Sequence, residues 1–375
     1  MTAAKIFRSP WMLPIVVTAA ILLIIPILIG HGIFKKFSPT TPQKIHYSNL
    51  DVDQVGMPGE FESCDAIVLG CNEMVQYHPR TMLEIISLLR DHVGVVAMVD
   101  TQARRDQVIT CLVDAGIPPD SVDVVVQPTV GMWIRDYGPI FVRLRNGKMV
   151  AVRNDYLEPD RKEDNRAANY LAGYYKLDLV RSGIAAVGGN LLSNGRGLIV
   201  STTALISQNE PRHFDLKAIA GVLGDTFKTS NWVYLAMLHG EPTGHVDMFV
   251  TFTAPDTAVV GSYDPKEDAE NSAILDEAAH VLAMQKSPHG EMKVVRIPMP
   301  PHRDGLWRSY TNVIFANGIL LVPQYPDVSP ELDKTALEVY AGLLPDWKIV
   351  GVDARTLIAK MGALHCVSIN VPAMD

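Results

Sequence analysis

Apolar and polar positions along the chain alternate between two periods. Short aliphatic runs at 66–70, 93–99 and 122–126 are of the kind that form buried strands. Between them, 81–91 sets Met82, Ile85, Ile86 and Leu89 at helical spacing, and 101–115 reads as a second helix. Such alternation predicts an α/β fold. Further on, the texture shifts to hairpins. Stretches 140–145 and 149–154 flank Asn146-Gly147, and Leu191-Leu192 and 198–202 flank Asn194-Gly195. Asn-Gly suits a two-residue turn because both central residues need positive φ. Strands are also predicted at 233–238, 246–253, 257–263, 293–298, 312–316, 319–323, 349–352 and 366–371, with helices at 266–284 and 330–343. Polar clusters close similar strand–helix blocks roughly every 60 residues, a hint of pseudo-symmetry.

The amino-terminal segment has neither period. Residues 11–30 carry no charge, and a helix of that length spans the hydrocarbon core of a bilayer. Pro14 and Pro26 are tolerable in a membrane helix. Residues 37–47 read as an extended linker, so 1–47 is expected to be a single-pass, uncleaved anchor with its linker, and 48–375 the functional domain. Lys5 and Arg8 before the span nearly balance Lys35 and Lys36 after it. With so short a leader, the domain is expected outside the cytoplasm. The net charge of −8 and the lack of any basic block exclude a nucleic-acid surface. Cys64, Cys71 and Cys111 match no zinc spacing, and a bridge among them is open if the domain is exported.

Three polar clusters and one cysteine hold the candidate chemistry. Trp133-Ile134-Arg135-Asp136-Tyr137-Gly138-Pro139 packs an indole, a guanidinium and a carboxylate into one loop. It is either a functional loop or an Arg135–Asp136 surface pair. Val187-Gly188-Gly189-Asn190 is either a tight turn or a place of close backbone approach. In Gly244-His245-Val246-Asp247, a strand starting at His245 would aim His245 and Asp247 to one face. A metal site with His239 lacks a supporting spacing. Cys366 is either a small core residue or a nucleophile. Taken together, a thiolate needs an imidazole for proton transfer. Two carboxylates without a metal motif are costly unless their ligand is a cation, and a planar guanidinium matches carboxylates with paired hydrogen bonds.

Trp133 to Pro139, Gly188-Gly189-Asn190, Gly244-His245-Val246-Asp247, Ser309-Tyr310-Thr311-Asn312, Leu321-Val322-Pro323-Gln324 and Leu364-His365-Cys366 occur in that order. The ordered set resembles the agmatine deiminases and the Porphyromonas-type peptidylarginine deiminases of the guanidino-group-modifying superfamily, over residues 57–371. The resemblance implies a pentein-like α/β propeller of five pseudo-symmetric units with the active site on the central axis. It implies Cys366 as nucleophile, His245 as general acid and base, and Asp136 and Asp247 as the grips on the guanidinium. Trp133, Asn190 and Asn312 match substrate-binding positions. The implied reaction passes through a covalent thiouronium to a ureido product and ammonia, with no metal or organic cofactor. The implied substrate is a small guanidino cation such as agmatine, which would place the protein in putrescine biosynthesis, or an arginine-containing peptide. Two departures bear on that choice. Val187 stands where the agmatine enzymes usually carry an acid, and 155–162 holds acids where the peptidylarginine branch uses two arginines for a terminal carboxylate. Amidinotransfer on the same intermediate and a guanidinium-binding protein without turnover are the alternatives. The oligomeric state is not legible.

Overall fold

A computed structural model describes residues 45–46, 55–287 and 290–374. The expected membrane span at 11–30 lies outside the described residues, as does most of the linker. Among the described residues, no helix is long and apolar enough to cross a membrane.

The two Asn-Gly turns explain the first sheets. Gly147 takes φ +81° and Gly195 φ +71°, a backbone region that suits glycine. Asn146 Oδ1 accepts the Lys148 N–H, while Asn194 Oδ1 accepts those of Arg196 and Leu198. Each turn joins two antiparallel strands, Ile140–Arg143 to Met149–Asp155 and Leu192–Ser193 to Leu198–Thr202. A helical crossover then returns the chain parallel to the second strand, through Arg166–Tyr174 to Asp178–Ala185 and through Leu216–Thr226 to Asn231–Leu235.

The same order recurs along the chain. Val250–Ala254 and Thr257–Ser262 pair antiparallel, and Lys293–Pro298 adds in parallel after the helix Ala269–Ala283. Ile314–Ala316, Ile319–Gln324, the helix Pro330–Leu343 and Lys348–Asp353 repeat it. The last unit joins the two ends of the domain. Its first strand, Ser368–Pro372, pairs antiparallel with Cys64–Gly70, which continues in parallel to Gly94–Val99 and Asp123–Val126. The second strand of the fourth unit is covered on both faces, so it reads as a continuous apolar run. In Ile319–Gln324 only Gln324 is not fully buried.

The sequence reading starts three first strands too early. Residues 246–248 form a 3-10 turn and the strand begins at Val250; 312–313 and 366–367 likewise precede Ile314–Ala316 and Ser368–Pro372. His245 and Asp247 therefore do not share a strand face. Side-chain hydrogen bonds hold these backbones in turns: Asn190 Oδ1 accepts the Val246 N–H at 3.1 Å, and Thr311 Oγ1 donates to the Asp247 carbonyl at 2.9 Å. All four cysteines are free.

The fourth unit shows how a turn is anchored. Asp333, buried on the helix Pro330–Leu343, accepts hydrogen bonds from the Tyr310 hydroxyl at 2.6 Å and the Tyr325 N–H at 2.9 Å. The Tyr340 hydroxyl donates to the Tyr310 carbonyl at 2.8 Å. The turn leading to Asn312 is thus tied to its own helix. Tyr340→Phe leaves that buried carbonyl without its donor and is expected to cost about 1–3 kcal/mol, read as a lower urea midpoint at unchanged slope. An unchanged midpoint would show that the tie contributes nothing.

Candidate active site

Every unit carries a short turn just before its first strand, and the polar residues singled out in the sequence stand on these turns. Asp136 lies on the helical turn Ile134–Tyr137, Asn190 on Gly188–Asn190 and Asp247 on Val246–Met248. Asn312 and Cys366 come two residues before their strands. The turns approach closely because glycine stands between them. A methyl group at Gly188 would lie 2.3 Å from the Arg135 carbonyl oxygen. One at Gly189 would lie 2.9 Å from Asp247 Oδ2, 3.0 Å from His245 Nδ1 and 3.3 Å from Asp136 Oδ1. Gly189 therefore marks the point where two carboxylates and an imidazole converge.

Asn312 links this group to the cysteine. Its Nδ2 donates to Asp247 Oδ2 at 3.1 Å and lies 3.4 Å from Cys366 Sγ, while its Oδ1 accepts the His365 N–H at 2.9 Å. Its amide is engaged by protein partners on both sides. Asn190 Oδ1 is likewise engaged, by the N–H groups of Thr202 and Val246, while its Nδ2 is buried without a partner among the described residues. Trp133 packs over Gly362, where a methyl group would come within 2.3 Å of its ring, so the indole sits beside the cysteine-bearing turn. His245 Nδ1 stands 3.8 Å from Asp136 Oδ1.

Two buried carboxylate oxygens, Asp136 Oδ1 and Asp247 Oδ1, have no hydrogen-bond partner among the described residues. Burial pushes the Asp136 carboxyl up to about 6, with His245 opposing and Asp247 adding to the rise. Burial, reinforced by the charges of Asp247 and Asp136, holds the Cys366 thiol well above its usual range. The site thus has a deficit of positive charge facing its open carboxylate oxygens, and a cation entering there would favour both ionised carboxylates and the thiolate. Among the described residues, no group of three or more His, Cys, Asp or Glu side chains is placed to hold a metal ion.

Three residues in contact with this site were not singled out from the sequence. His365 Nδ1 lies 2.7 Å from Asp247 Oδ2, and its Nε2 lies 2.8 Å from Glu60 Oε2. Arg135, for which a surface pair with Asp136 is one of two open readings of the sequence, is buried. It forms an ion pair with Glu60, and its guanidinium also reaches the His365 carbonyl at 3.4 Å and Asn370 Oδ1 at 3.3 Å. Glu60 comes from the irregular segment ahead of Cys64–Gly70, where no periodicity marks it. For His365, adjacency to Cys366 was the available signal.

Gly189→Ala is expected to abolish catalytic turnover while the protein still folds, because the clashing atoms are side-chain ends. Gly188→Ala meets backbone instead and is expected to lower the melting temperature, by an amount worth about 2 kcal/mol or more. Thermal melts beside activity separate the two, and equal effects from both would contradict the arrangement. The Porphyromonas-type peptidyl-arginine deiminase family model matches residues 57–372. The agmatine deiminase of Pseudomonas fluorescens is 25% identical over 297 residues, 68% of this chain and 77% of that protein. Among solved structures, the agmatine deiminase of Enterococcus faecalis superposes with a TM-score of 0.73 at 22% identity, over 86% of this chain and 97% of that one. The C. jejuni agmatine deiminase does so with a TM-score of 0.72 at 21% identity, over 86% and 97%. The converging turns and the extent of the family match lead to one conclusion: the chain belongs to the Porphyromonas-type peptidyl-arginine deiminase family and is a deiminase acting on guanidino C–N bonds.

Proposed function

We propose that the chain hydrolyses a guanidino group, of agmatine or of an arginine residue, to a ureido group and ammonia through a covalent adduct on Cys366. The observation that carries this reading is the pair of buried oxygens on Asp136 and Asp247, unpartnered among the described residues, beside a thiol held protonated by burial and by their charges. A guanidinium donates N–H groups to both carboxylates and neutralises them, which lowers the thiol pKa where the electrophilic carbon sits. The thiol passes its proton to His245, and the thiolate attacks that carbon and forms the C–S bond as a C–N π pair moves onto nitrogen. His245 donates a proton to the departing nitrogen as the C–N bond breaks and ammonia leaves. It then takes a proton from water. The resulting hydroxide adds to the thiouronium carbon, the C–S bond breaks, the hydroxyl proton passes to the released ammonia as the ureido carbonyl forms, and His245 returns its proton to the sulfur. Trp133 walls the pocket, Asn190 offers its free amide donor, and Asn312 aligns Asp247 with Cys366.

Arg161 bears on the choice of substrate. It hydrogen-bonds Tyr156 and lies near Glu73 and Asp164, so a substrate carboxylate would have to compete for it. That supports agmatine over a peptide ending in arginine. Val187, buried and apolar, supports the opposite choice, because it offers no acid for the far amine of agmatine. We further propose that the five units close into a propeller with the turns around its axis. Residues 11–30 would anchor this domain, 48–375, to a membrane on the side away from the cytoplasm.

Ureido-product formation by the full-length protein, without added metal, tests the activity on agmatine, free arginine and an arginine-ended peptide. Cys366→Ser is expected to lower turnover by about 10,000-fold, and substantial residual activity would remove the covalent mechanism. Product formed only with an added amine acceptor would indicate amidinotransfer, and binding without product a guanidinium-binding protein. The pH dependence follows from Asp136. Its carboxyl is raised in the folded protein to about 6, so it gains a proton as pH falls through that value and loses its grip on a cation. kcat/KM is therefore expected to fall below about pH 6, and Asp136→Asn to be weak throughout without that limb. An acid limb that persists in the variant would assign it elsewhere. Protease added to spheroplasts, in which the cytoplasmic membrane is the remaining barrier, is expected to digest 48–375, and protection until that membrane is lysed would overturn the placement.

A further inference from the structure

We infer that Glu60 and His365 form a positioning pair in which His365 is an imidazolium that aims Asp247 into the site. The inference deepens the hydrolase reading of this site and rests on it. The argument begins with donors and acceptors. His365 Nδ1 is 2.7 Å from Asp247 Oδ2 and Nε2 is 2.8 Å from Glu60 Oε2. An ionised carboxylate only accepts hydrogen bonds, and a neutral imidazole has one N–H, so it would turn a lone pair towards one of the two. Only the imidazolium satisfies both. Each carboxylate has a further donor: Arg135 pairs with the other oxygen of Glu60, and Asn312 donates to Asp247 Oδ2.

The groups facing His365 set its charge. Glu60 comes from the segment ahead of the first strand, Asp247 from the third unit's turn, Arg135 and Asp136 from the first unit's turn, and Cys366 from its own. Burial and the Arg135 charge press His365 towards neutrality. The Glu60 charge and the hydrogen bonds that His365 donates to Asp247 and Glu60 outweigh them, so it titrates above the ordinary imidazole range. Burial would raise Glu60, yet the Arg135 and His365 charges hold it at about 2. Glu60, Asp247, Arg135 and His365 then sum to zero charge before any substrate arrives. With Oδ2 of Asp247 taken by His365 and Asn312, only Oδ1 is left for a substrate N–H. Without the imidazolium, Asp247 would face Asp136 and the cysteine with no cation beside it.

The test uses full-length protein labelled with 15N at histidine, with the His365 signals identified by their loss in His365→Gln. Both ring nitrogens are expected to stay protonated above the pH at which an ordinary histidine loses its charge. Glu60→Gln is expected to show a neutral ring in that range. It should lose about 100-fold in kcat/KM there, as expected for a misplaced reacting group. That loss should narrow to about tenfold near pH 6, where the ring regains its proton, with Glu60→Asp restoring part of it. A neutral His365 in the wild-type protein at about pH 7 overturns the pair. So does a Glu60→Gln loss that is the same at both pH values. The nitrogen signals need no turnover, so a doubly protonated His365 in a protein inert to guanidino compounds would uphold the pair and reject hydrolysis. If Glu60→Gln does not fold, the wild-type spectrum alone decides.

Discussion

Two carboxylates and a thiol buried within reach of one another repel unless positive charge stands among them. This constraint organises the site. Asp136, Asp247 and Cys366 are brought together by three different turns, and part of the compensation is internal. His365 and Arg135 stand against Asp247 and Glu60, leaving Asp136 Oδ1 and Asp247 Oδ1 without a hydrogen-bond partner among the described residues. The remainder of the compensation falls to the guanidino substrate of the enzyme. In the proposed mechanism, selectivity for a planar cation and activation of Cys366 share one electrostatic cause.

The fold makes that concentration of charge affordable by distributing its supports. Each repeated unit spends its hairpin and crossover helix on apolar packing and delivers a single turn inward. The turns come close because Gly188 and Gly189 carry no side chain, and they are held by neutral amides. Asn190 ties the second turn to the third, and Asn312 ties the fourth to the fifth. The pairing of Ser368–Pro372 with Cys64–Gly70 places the nucleophile's turn in the same sheet as the first strand of the domain. Glu60, just ahead of that strand, therefore lies within reach of His365 although the two are 305 residues apart.

The strands and helices with clean periodicity were legible from the chain alone. Pro330–Leu343 is read to the residue, helped by a proline at its first position, and both Asn-Gly turns fall where expected. The helix Leu216–Thr226 was not read. Gly221 and Gly224 lower its intrinsic propensity, while Asp215 caps it through the Ala218 N–H at 2.8 Å and tertiary burial of Ile219, Ala220 and Leu223 holds it. The first strands were placed too early because residues such as Val246 and Val313 have strand-like side chains in turns fixed by distant hydrogen bonds.

The sequence by itself determined the repeated alternation of elements, the order of the polar motifs and, through resemblance, the family chemistry. These depend on local pattern, which neighbouring residues carry. Only the tertiary structure decided which charges meet: that Arg135 turns from Asp136 to Glu60, that His365 bridges two carboxylates, and that Gly189 lies under all three reactive groups. Electrostatic partners are chosen by distance in space, and residues far apart along a chain leave no periodic trace of the pairing they will make.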